Sequence, residues 1–132
     1  MAITKDASTQ CVQSKSVLIN LADVTSGVDV AAMDLPPNAV ILSGYFVTTE
    51  AWNSTTSDVI DLGDAGSQNR YLNDGNIRAL GAVVPLVPTG AAHAGGALTV
   101  RWVSGGGTPT TGKVRLFVSY VVLGRADGTY EL

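Results

Sequence analysis

The chain has 132 residues, of which 45% are hydrophobic and only 14% charged, and its formal net charge is −3. That length suits one domain with a real core. The sparse charge includes no run of Lys or Arg to track phosphates, so a nucleic-acid partner is not expected. One cysteine, Cys11, excludes an intrachain disulfide and fits a reducing cytoplasm.

The opening residues MAITKDASTQ lack the apolar run of a signal peptide. They predict a protein made in a cytoplasm and kept there unless it leaves as part of a particle. Residues Met1–Gln13 read as a short, flexible polar arm on a single domain spanning 1–132. Helix signals are nearly absent, because Gly and Pro recur too often and no window repeats apolar residues at helical spacing.

Strand signals follow in order. Gln13–Ala22 alternates, with Val17, Ile19 and Leu21 on one face and Ser16, Leu18 and Asn20 on the other. A turn at Thr25–Gly27 leads to a short strand, Val28–Met33. The break DLPPN, Asp34–Asn38, follows: Pro36 and Pro37 cannot donate to a ladder, and Asn38 favours a turn. A long strand then runs from Ala39 to about Trp52. Its apolar run of about nine residues falls short of the roughly 20 needed to span a bilayer, so no membrane is expected.

Ser57–Leu62 is the next strand, Gly63–Asn69 a turn-rich loop, Arg70–Leu72 a brief pairing and Asn73–Asn76 another turn. Val83–Val87 carries Pro85 and is flanked by Pro88, which assigns it to a sheet edge. Thr89–Gly96 is a flexible loop. Ala97–Val103 places Leu98, Val100 and Trp102 on one face. Lys113–Leu123 aligns Val114, Leu116, Val118, Tyr120 and Val122. About eight strands without a repeat or linker predict an all-β, antiparallel two-sheet sandwich, jelly-roll-like first and immunoglobulin-like second.

Two strands are apolar on both faces, against the rule for a solvated sandwich. Val40, Leu42 and Phe46 occupy even positions of the long strand, and Ile41, Tyr45 and Val47 odd ones. Val121 and Leu123 continue the pattern in the last strand. Loops or the N-terminal arm cover these outer faces, or they pack on a neighbouring copy or a larger partner, as the low charge also suggests. Ile41, Tyr45, Val47, Val121 and Leu123 are therefore candidate contact residues, with Tyr130 and Leu132 as apolar anchors in the C-terminal GRADGTYEL.

Chemistry is harder to find. His93 lies in a glycine-rich loop and reads as exposed, without the oriented partner that catalysis needs. One His and one Cys cannot form a zinc site. Asp58, Asp61, Asp64 and Asp74 raise the thought of calcium, but their spacing is not that of an EF-hand. Asp58 and Asp61 also face opposite ways along a strand, and the four read as turn-forming, solvated carboxylates. Trp102 reads as core, whereas Trp52 and Tyr71 are candidates for an exposed sugar-stacking platform. SGGGTPTTGK lacks the order of a phosphate loop. No catalytic, cofactor or metal residue is assigned.

The segments LPPNAVILSGYFVTTEAWNSTTSDVIDLGD, NRYL, VPLVPTG and ALTVRWVSGGGTPTTGKVRLFVSYVVLGRAD, together spanning roughly Val28 to Asp127, resemble the small structural proteins of tailed-bacteriophage virions. The nearest likeness is to capsid decoration, or cement, proteins. That resemblance implies a β-sandwich or jelly roll, often a homotrimer, on the outside of the head, clamping subunits of the major capsid protein against internal pressure. It implies no enzyme and no cofactor. A tail or head-fibre component, with a carbohydrate- or receptor-binding role, would share the pattern.

Overall fold

The structure, a computed structural model, describes residues 10–124. Eight strands follow one another: β1 (Gln13–Asn20), β2 (Asp29–Leu35), β3 (Ala39–Glu50), β4 (Asp58–Asp64), β5 (Ser67–Asn76), β6 (Val83–Pro85), β7 (Gly96–Ser104) and β8 (Lys113–Val122). The only helical element among the described residues is one 3₁₀ turn, Leu21–Asp23, so no helix there is long and apolar enough to cross a membrane.

The strands form two four-stranded sheets, ordered β1-β8-β3-β6 and β2-β7-β4-β5. Within them β1 pairs with β8, β2 with β7, β3 with β6 and β4 with β5, all antiparallel. The chain thus makes one long hairpin of nested pairs. Winding that hairpin brings β3 beside β8 and β4 beside β7, which completes each sheet. This is the strand order of a jelly roll.

The predicted strands are present with modest shifts at their ends. The predicted break is confined to Pro36–Asn38, because β2 runs on through Asp34 and Leu35, and Asn38 takes the left-handed conformation at φ 65° that Asn tolerates. β6 is short and lies at a sheet edge, where Pro85 costs no interior ladder bond. The exception is β5. The expected loop, brief pairing and second turn over Gly63–Asn76 are instead one hairpin, β4 and β5 meeting at a tight turn after Asp64. Asp64 Oδ1 accepts the amides of Gly66 and Ser67 at 3.0 and 3.1 Å and so holds that turn. Asp74, at φ 54°, lies within β5, and its amide donates to Asp61 Oδ1 at 2.6 Å.

The inner faces interdigitate as one core. Val114, Leu116, Val118 and Tyr120 from β8 and Leu98, Val100 and Trp102 from β7 are buried in it, as their alternation predicts. Phe46 beside Leu116, and Ile60 and Leu62 beside Trp102 and Val100, belong to the same core. Trp52 is also core, packed on Trp102 with ring centroids 5.4 Å apart. A Cβ at Gly112 would collide with the Trp52 ring, so only glycine lets that loop close over the indole.

A β-bulge decides which side of β3 is inside. In register, Ile41 opposes Tyr120, but Ser43 opposes Ser119, so the residue between them is extra. Ala39 and Ile41 point inward before the bulge, and Phe46 and Thr48 point inward after it. The expectation that Ile41 shares an outer face with Tyr45 and Val47 is therefore corrected. Ile41 is 3% exposed and belongs to the core, while Leu42, 45% exposed, lies outside.

Candidate assembly surface

With Ile41 withdrawn, the outward residues of the β1-β8-β3-β6 sheet form rows across its strands. One row is Ser16, Phe117, Tyr45 and Pro85; the next is Leu18, Arg115, Val47 and Val83. On the other side of the bulge Val40 opposes Val121, and Leu123 follows β8. Tyr45 is 41% exposed and leans on Phe117, ring centroids 5.1 Å apart. Leu42, Val83 and Leu123 are also exposed. Charge gathers at one end, where Lys113 and Glu50 pair loosely at 3.9 Å, leaving Arg115 as the single charge among these apolar rows.

The outer face of the other sheet is built differently. Arg101 holds Asp29 through two hydrogen bonds, at 2.7 and 3.2 Å, and stands in register with Asp61 on its other side. The bond to Asp29 raises the guanidinium further above its already high pKa. Thr99 and Asn76 continue the polar surface, which Val59 and the exposed Val103 interrupt at one row. A sandwich with one polar outer face follows the usual rule. Its opposite face, mixed with exposed aliphatic and aromatic residues, does not.

Of the predicted contact residues, the structure brings Tyr45, Val47, Val121 and Leu123 onto this one face. Tyr130 and Leu132 lie outside the described residues. Leu42, Phe117 and Val83 join the face without having been singled out. Phe117 was available from the β8 alternation, but Leu42 required knowledge of the bulge.

The polar candidates also move. Asp58 is fully buried, not solvated: it accepts from Ser54 Oγ and the Ser54 amide, from Trp102 Nε1 at 3.1 Å, and pairs with Arg78 at 3.4 Å. Asp61 is buried too and faces the other way, as parity predicts. Among the described residues, no three His, Cys, Asp or Glu side chains converge to hold a metal. His93 is 4% exposed rather than an open loop residue, because its amide and carbonyl bond to Ala39 and Asn38. Trp52 and Tyr71 are 2% and 3% exposed, so neither provides the exposed platform that a sugar-stacking role needs.

No family model matches the sequence, and no curated protein matches it. Solved structures do match the fold: it is that of chains in bacteriophage capsids. A chain of the cyanophage Pam1 capsid asymmetric unit aligns with a TM-score of 0.70 at 19% identity, over 92% of each chain. One from the capsid of Ralstonia phage GP4 gives 0.59 at 19% identity, over 98% of this chain and 92% of that one. One from the acid-stable capsid of Helicobacter pylori bacteriophage KHP30 gives 0.60 at 13% identity, over 86% and 94%.

Proposed function

We propose that this protein is a structural component of a tailed-phage virion and acts as a capsid decoration, or cement, protein. In this role it self-associates as a homotrimer on the outside of the head and clamps neighbouring subunits of the major capsid protein. The observation that carries the reading is the apolar outer face of the β1-β8-β3-β6 sheet, on a fold shared with phage capsid chains. Burying Leu42, Tyr45, Val47, Val83 and Phe117 against a neighbour removes apolar surface from water at about 25 cal/mol per Å². A ring of such modules, each bound weakly to a repeating shell, attaches far more tightly than one module does.

The test is Leu42→Asp combined with Tyr45→Asp, both at exposed positions. The wild-type protein should sediment as a trimer at micromolar concentration and co-sediment with capsids. The double variant should keep its circular dichroism spectrum and lose both. A wild-type monomer that fails to bind capsids would overturn the proposal.

A further inference from the structure

At one end of the sandwich, the β4–β5 turn and the loop before β7 enclose a cavity of about 360 Å³. Its walls include Asp64, Arg70, Tyr71 and the run Ala91–Ala97, which contains His93. That volume lies within the range of small-ligand sites.

Three polar side chains with donors to offer line it. His93 Nδ1 accepts the Gly95 amide at 3.0 Å, which leaves the ring proton on Nε2. Nε2 has no partner among the described residues, nor does the Tyr71 hydroxyl, although each residue is more than nine-tenths buried. Both residues line the cavity. Burial, and then the nearby Asp64 carboxylate, raises the Tyr71 pKa, so its hydroxyl stays protonated and able to donate. Arg70 gives Nε to Asp64 Oδ2 at 2.8 Å, and its two Nη groups have no hydrogen-bond partner among the described residues.

The one carboxylate in the lining is already engaged. Asp64 takes two amides on one oxygen and Arg70 on the other. The methyl groups of Ala91, Ala92, Ala94 and Ala97 offer no acceptor side chain. Side chains that offer more unused donors than unused acceptors favour an occupant rich in acceptors. Asp64 balances the charge of Arg70, so it is the planar Nη pair of Arg70, which matches the two oxygens of a carboxylate, that favours this acceptor over a single carbonyl oxygen.

The geometry points to a carboxylate-binding site in this cavity, in which Arg70 Nη, Tyr71 Oη and His93 Nε2 donate to one carboxylate group. Two sources supply that chemistry: a small free organic acid, or a glutamate or aspartate side chain of an adjoining polypeptide. The site is separate from the apolar face and does not depend on the virion role.

Amide ¹H–¹⁵N spectra of the full chain, titrated with sodium acetate and, in parallel, with N-acetyl-Gly-Glu-Gly-amide, read this directly. Saturable shifts confined to Gly66 and Ala91–Ala97, absent with sodium chloride at equal ionic strength, are expected. Tyr71→Phe should weaken binding about tenfold or more, and Arg70→Gln should remove it. Saturation by acetate alone identifies a small-acid site, and tighter binding of the peptide identifies a polypeptide carboxylate. No saturable shift with either ligand, or shifts unchanged in both variants, would overturn the assignment.

Discussion

Alanine placed separately at Ile41 and at Leu42 tests the bulge on which the apolar face depends. The two residues are neighbours of the same volume, yet Ile41 is 3% exposed and Leu42 45%. Truncating Ile41 deletes three buried carbons at about 0.8 kcal/mol each, or roughly 2.4 kcal/mol of transfer free energy. The hole left between Tyr120 and the rest of the core brings the loss to about 3–4 kcal/mol. Truncating Leu42 deletes the same number of carbons from a side chain already half in water and leaves no enclosed cavity, so the loss is about 1 kcal/mol. With a urea m-value of about 2 kcal/mol/M, the midpoints should fall by roughly 1.5–2 M and 0.5 M respectively. Urea titration monitored by tryptophan fluorescence measures both, since Trp52 and Trp102 sit in the core. Equal shifts, or a larger one for Leu42→Ala, would refute the placement of the bulge, and with it the composition of the outer face.

Asp58→Ala should be among the most damaging polar substitutions, because it strips the buried Trp102 Nε1 and Ser54 of their acceptor. A loss of about 2–4 kcal/mol, read as a drop of roughly 10 °C in melting temperature, is expected. Asp64 predicts an acid limb. Burial raises its pKa, but the hydrogen bond from Arg70, the amides of Ser67 and Gly66 and the charge of Arg70 outweigh burial and hold it below the usual 3.8. A carboxyl whose folded pKa is depressed adds stability that is present above its unfolded pKa and is lost as pH falls through the folded one. The difference in urea midpoint between wild type and Asp64→Asn should therefore be constant near neutrality and shrink below about pH 4.

Where one strand face meets another sheet and the other meets water, the period of two survives in the sequence. That is why Val114, Leu116, Val118 and Tyr120 were legible as core, and Leu98, Val100 and Trp102 with them. The double proline and Asn38 likewise marked the break before β3, because proline has no amide to give and asparagine tolerates a positive φ. These are local consequences of covalent structure, and the all-β class followed from them.

The rest depended on partners distant in sequence. In β3 both parities are apolar, so alternation carried no facing information. The register of Ser43 against Ser119, set by β8, decided that Ile41 goes in and Leu42 out. The sequence of β5, SQNRYLNDGN, carries turn formers throughout, and it is extended because β4 supplies its ladder bonds. Asp58 and His93 looked solvated because polar residues usually are. Their burial became affordable only when Arg78 and Trp102, or Asn38 and Ala39, arrived from elsewhere in the chain and added their hydrogen bonds to the local ones from Ser54 and Gly95. A sequence displays what each residue prefers, and tertiary structure decides which preferences are met, because hydrogen-bond partners and bulge positions belong to pairs of segments rather than to either one.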